Sequence, residues 1–159
     1  MIRRVMHAWL DSLQNSAFSQ WVVGSDSIWA YPMILTMHTV GLGIVVGAAA
    51  VLDLRLLGIG PGIPLSEMRR VVPLFWLGFF INLVSGLMLF ASEAADKAAQ
   101  PVFLVKLLLV AIGVVVTSRI SNVAFASAVP PLRARSLAKV SLVVWAGAIV
   151  AGRLMAYLK

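Results

Sequence analysis

From Ile28 to Leu52 the chain carries no Asp, Glu, Lys or Arg. A helix of that length crosses a hydrocarbon core of about 30 Å. Inside lipid every backbone N–H and C=O must be paired within the chain, which leaves helices and closed barrels. Three more apolar runs follow, at about 71–91, 102–118 and 138–158. They are continuously apolar, without the period-two alternation of a barrel strand. The expected fold is therefore all-α: a four-transmembrane-helix up-down bundle within a single integral membrane domain, 1–159. Pro32 and Pro73 fall in the opening turns of the first two spans, where a missing N–H costs little. Between spans one and two, Gly58, Gly60, Pro61, Gly62 and Pro64 supply turn chemistry. The connection 119–137 holds Pro130 and Pro131, and Ser92–Gln100 reads as a short polar loop.

Composition narrows the function classes. The chain is 61% hydrophobic and 12% charged, against roughly 45–50% and 25% in a soluble domain. It has no cysteine, which excludes disulfides, thiolate zinc sites and cysteine-held iron–sulfur clusters. A net charge of +7 raises the question of nucleic acid, but the basic residues flank the apolar runs as topogenic charges do. The expected partners are the lipid bilayer and other membrane-protein subunits or a homo-oligomer, with no nucleic acid.

Ahead of the spans, Ile2, Val5, Met6, Trp9, Leu10 and Leu13 recur at i, i+3, i+4, i+7, i+8 and i+11. This is one apolar helical stripe, with Arg3, Arg4, Asp11 and Ser12 off it. It predicts an amphipathic helix over about 2–14, lying in the membrane interface. Trp9, Trp21, Trp29 and Tyr31 suit that depth. Charge counting then orients the bundle. Arg55, Arg69, Arg70, Arg119, Arg133, Arg135 and Lys139 fall after spans one and three, whereas the other side holds Arg3, Arg4, Lys97 and Lys159. The richer side is expected in the cytoplasm, placing both termini on the periplasmic side of a bacterial inner membrane. Small residues predict close helix contacts: Thr39, Gly43 and Gly47 on span one, Gly78, Asn82 and Gly86 on span two, and Ala148 and Gly152 on span four.

His38 sits ten residues into span one, where an ionisable side chain is costly and reads as a functional candidate. Alternating spans bring Lys106, Arg153, Met33, Met37, Met88 and Met155 into the same half of the bilayer, with Asn82 near the centre of span two. Each has a plainer account as well. A lone histidine can simply bond a neighbouring backbone group, Lys106 and Arg153 can snorkel to the headgroups, and methionines are ordinary core fillers. There is no Ser/His/Asp grouping, Gly-rich phosphate loop or pair of intramembrane carboxylates.

The string Tyr31-Pro32, His38, Gly41-Leu42, Gly47 and Asp53-Leu54-Arg55-Leu56-Leu57-Gly58 resembles an uncharacterised family of bacterial four-span membrane proteins. A more distant likeness concerns layout: a first-span histidine, Gly86-Leu87 near the end of span two and Lys106 opening span three are similar to HemJ-type protoporphyrinogen oxidases and CopD-like copper proteins. The HemJ-type resemblance implies haem b held through His38 and Lys106. The leading expectation is thus a membrane redox subunit that binds b-type haem through His38, with Lys106 and Arg153 beside the cofactor. A CopD-like copper site would use His38 with Met37 and Met88. The third possibility is a cofactor-free accessory or assembly subunit of a larger membrane complex. A stand-alone enzyme is the less expected outcome.

Overall fold

The computed structural model describes residues 2–125, 131–155 and 157, with side chains described from Val5 onward. The described residues form seven α-helices, in the order α1 (Ile2–Gln14), α2 (Ala17–Gly24), α3 (Tyr31–Leu56), α4 (Val71–Ser92), α5 (Ala94–Ala98), α6 (Pro101–Ala124) and α7 (Leu132–Leu154). A 3₁₀ segment, Leu65–Arg70, leads into α4. Among the described residues there is no strand. Four helices are long and apolar enough to cross a membrane: α3, α4 with its 3₁₀ lead-in, α6 and α7. The molecule is an all-α, four-span, multi-pass membrane bundle.

The spans pack in the order α4–α3–α7–α6. Between α3, α4 and α6 this order leaves a shallow cleft of about 10 Å³, lined in part by Ala48, Phe75 and Thr117. Two apolar clusters hold the bundle. One gathers Val45, Ala49, Phe75, Trp145 and Ala148 at mid-height, and Trp145 meets the Phe75 ring edge-on at 5.9 Å. The other gathers Leu52, Leu56, Met68, Ile120, Ala134 and Ala138 at the end where the 3₁₀ segment lies. Alanines on α7 let that helix approach α3 and α6 closely, since packing in lipid rewards small side chains.

Helix boundaries differ from the sequence expectation in one consistent way. Span one runs to Leu56 and span three to Ala124, while span four begins at Leu132. Asp53, Arg55, Arg119, Arg133, Arg135 and Lys139 therefore lie on helix rather than in connections. The apolar run marks the hydrocarbon crossing, but backbone hydrogen bonding carries a helix beyond it. The polar stretch after Ser92 also folds, into α5, and Ser92 itself is buried in the last turn of α4. Helix α2 had no sequence expectation. Ser16 caps it, its hydroxyl accepting from the Ser19 backbone N–H at 3.3 Å.

Helix α1 has the expected stripe, divided between two jobs. Leu10 is buried, whereas Val5 and Trp9 stay 64% and 62% exposed. Such a face is the apolar surface an interfacial helix offers to lipid. Hydrogen bonds strap α1 and α2 to the α4–α5 corner. Gln14 Oε1 accepts from the Ala95 N–H at 2.8 Å, and the Ser19 hydroxyl donates to the Ala91 carbonyl at 2.9 Å.

Candidate functional site

The α3–α4 contact creates the environment of His38. Gly41 is placed so that a Cβ there would lie 2.7 Å from the Asn82 backbone nitrogen, closer than side chains tolerate. A Cβ at Gly78 would meet Ile44 at 2.6 Å, and one at Gly86 would lie 3.0 Å from His38 Cε1. Span two therefore uses the face carrying Gly78, Asn82 and Gly86. Span one does not use Thr39, Gly43 and Gly47: Thr39 is exposed, and Gly43 and Gly47 have open space where a side chain would stand. It packs instead through Gly41, Val45, Ala48 and Leu52. This face also contains His38, so the histidine turns inward with it.

His38 and Asn82 form a reciprocal clamp. His38 Nδ1 lies 3.1 Å from the Asn82 carbonyl oxygen, and the Asn82 side-chain amide donates to the His38 carbonyl at 2.8 Å. The Ser85 hydroxyl is 3.2 Å from the same ring nitrogen, while donating to the Ile81 carbonyl at 2.6 Å. A carbonyl oxygen only accepts, and the Ser85 proton is already committed. Nδ1 must therefore carry the hydrogen, so the neutral ring presents Nε2 as a lone pair. Among the described residues Nε2 has no hydrogen-bond partner. Fixing one ring nitrogen through a backbone carbonyl while leaving the other open is how proteins prepare an imidazole to ligate.

The other expected site residues scatter around this clamp. Lys106 is half-buried on α6, its alkyl chain resting on Gly152 of α7, where a Cβ would stand 3.6 Å from Lys106 Cε. Among the described residues it makes no ion pair, although Lys97 and Glu93 pair nearby in the chain at 3.3 Å. Arg153 sits near the end of α7. It is exposed, with its guanidinium 5.5 Å from the Tyr157 ring centroid, because it follows Gly152 by one residue and points to the outer side of α7. Met37 is 44% exposed, one residue round the helix from His38. Met33, Met88 and Met155 are half-buried, and His7 is exposed on α1. Among the described residues no three His, Asp or Glu side chains group as a metal-ligand set.

Sequence reasoning passed over Ser85 as part of the site and Asp53 as a buried group. Ser85 had a signal: it follows Asn82 by one helical step. Asp53 is fully buried near the opposite end of α3, and both its oxygens lack a hydrogen-bond partner. Comparison with family models, curated proteins and solved structures yields no match.

Proposed function

We propose that the protein is a membrane redox subunit whose His38 supplies an axial imidazole to b-type haem. One observation carries the reading: Nδ1 lies 3.1 Å from the Asn82 carbonyl oxygen and 3.2 Å from the Ser85 hydroxyl, which leaves Nε2 as the free ring nitrogen. The donor chemistry fits. A neutral imidazole is an ordinary haem-iron ligand, and Gly86 keeps the space under the ring clear. Bound haem would supply one-electron transfer. The chain's part is to orient His38 through Asn82 and to offer the Lys106 ammonium to an anionic group such as a propionate. A cation in hydrocarbon costs about 2.5–3.5 kcal/mol on insertion scales, and an anionic partner offsets that.

The half-exposed ring, with Leu35 and Met37 exposed beside it, favours a cofactor on the flank of the bundle, completed by another subunit or a second copy. Copper fits less well. Met37 faces outward, and the Lys106 ammonium repels a metal cation. By charge placement the arginine-rich end is cytoplasmic in a bacterial inner membrane and the α5 end periplasmic.

The deciding experiment is the visible spectrum of purified protein, oxidised and dithionite-reduced. A Soret band with a reduced α-band is expected. His38→Ala should lose it at unchanged protein yield, Lys106→Met should weaken retention, and His7→Ala should keep it. A colourless wild-type protein returns the chain to the accessory role. Orientation is read separately, since the chain has no cysteine. Ser66→Cys and Ala99→Cys, both at exposed positions, should label from opposite sides, with Ala99→Cys reached by a membrane-impermeant reagent from outside.

A further inference from the structure

Asp53 lies fifteen residues after His38 on α3, about 22 Å along the axis at 1.5 Å per residue. Its side chain is 0% exposed, and neither carboxylate oxygen completes a hydrogen bond. The side chain that faces it is the Ser141 hydroxyl of α7, itself fully buried and without a completed hydrogen bond. Leu52, Leu56, Ile120 and Ala138 make this end of the bundle apolar.

The charged groups of every element packed here are engaged elsewhere or face outward. Arg55 of α3 donates to the Ile63 carbonyl at 2.6 Å. In the 3₁₀ segment Glu67 pairs with Arg70 at 3.3 Å, and Arg69 donates to the Phe125 carbonyl at 3.0 Å. Arg119 of α6 and Arg133, Arg135 and Lys139 of α7 are exposed, and α4 has no charged residue. A bare carboxylate would bear a desolvation penalty of several kcal/mol with nothing to offset it.

Either a metal cation or a proton could relieve that penalty. Hard cations such as calcium or magnesium take about six or more oxygen ligands. Asp53 and Ser141 together offer three side-chain oxygens, two from the carboxylate and one from the hydroxyl. A proton needs one carboxylate oxygen, and the O–H it forms has Ser141 Oγ as its acceptor.

We propose that Asp53 and Ser141 form a buried proton-binding site between α3 and α7, in the half of the bundle opposite His38. Binding forms one O–H bond on the Asp53 carboxylate with a proton taken from water, and no electron moves. Release returns the proton and leaves a negative charge facing Ala138 and Leu56. Occupancy of the site is thus tied to the α3–α7 contact. The site does not depend on haem: a colourless protein would leave it standing.

Infrared spectroscopy of the protein in lipid nanodiscs at neutral pH tests the proposal. The expected spectrum contains the carbonyl stretch of a protonated carboxylic acid, shifted in D2O and absent in Asp53→Asn. In Ser141→Ala the band should move to higher frequency as its hydrogen bond is lost, which keeps the test open should Asp53→Asn fail to fold. The proposal is overturned if wild type lacks the band, if the band survives Asp53→Asn, or if Ser141→Ala leaves it unmoved. It is overturned equally if replacing choline by sodium at constant pH abolishes the band, since a metal cation would then be the occupant.

Discussion

His38 and Asp53 share the inward face of α3, and the two helices opposite them differ. Opposite His38, α4 brings an amide, a hydroxyl and a backbone carbonyl to within 3.2 Å, because glycines let the two backbones close up. Opposite Asp53, α7 brings a single hydroxyl among alanines. The first site holds a ring in one orientation. The second offers its side chain one hydroxyl and no countercharge, so the carboxyl's protonation is what the surroundings bear on. Polar groups in one membrane helix can thus be retained for geometry at one level and for protonation at another.

Substitutions can break that contrast, starting with the contact that builds the first site. Gly41→Leu drives a side chain into the Asn82 backbone, which cannot yield. A loss of about 3 kcal/mol is expected, read as a large drop in the detergent unfolding midpoint, while Gly43→Leu, facing open space, leaves the midpoint in place. Asn82→Leu keeps the backbone carbonyl but removes the amide donated to His38, for an expected cost of about 1.5 kcal/mol, near the upper end for interhelical hydrogen bonds in membranes.

The second site should answer with the opposite sign. Asp53→Val combined with Ser141→Ala removes two unpartnered polar groups from an apolar setting, and a gain of about 1 kcal/mol is expected. A loss of that size in the same unfolding assay would mean that the Asp53–Ser141 pair stabilises the fold as the His38–Asn82 clamp does, and would erase the contrast. Arg153→Gln sharpens the margin of the first site. Its exposed contact with Tyr157 should be worth about 0.5 kcal/mol in the same unfolding assay.

The membrane spans and α1 were legible because both follow from the spacing of apolar residues, which needs no knowledge of neighbours. His38 was legible as unusual, but not as a fixed tautomer, since Asn82 and Ser85 lie far along the chain and only packing brings them in. The choice between the Gly43–Gly47 stripe and the Gly41 face on α3 could not be read from either stripe alone; it depends on which one α4 can match with Gly78 and Gly86. Asp53 was hidden for a related reason. It stands one residue past the uncharged run and two before Arg55, so it reads as the polar edge of a span. Burial follows only once α3 continues to Leu56 and the alanine face of α7 closes over it.

The strap at the α5 end sets an order of assembly. Gln14 finds its partner Ala95 at a separation of 81 residues, and Ser19 finds Ala91 at 72. When ribosomal synthesis has delivered α1 and α2, the corner that receives them has not been made. It exists only after α4 has crossed and the chain has turned into α5. Until then the Val5–Trp9 face has lipid as its only apolar shelter. Closing the strap is therefore a late step, one that reports completion of the first helical pair. A chain stalled before Ala95 would leave α1 on the bilayer surface without either of these bonds.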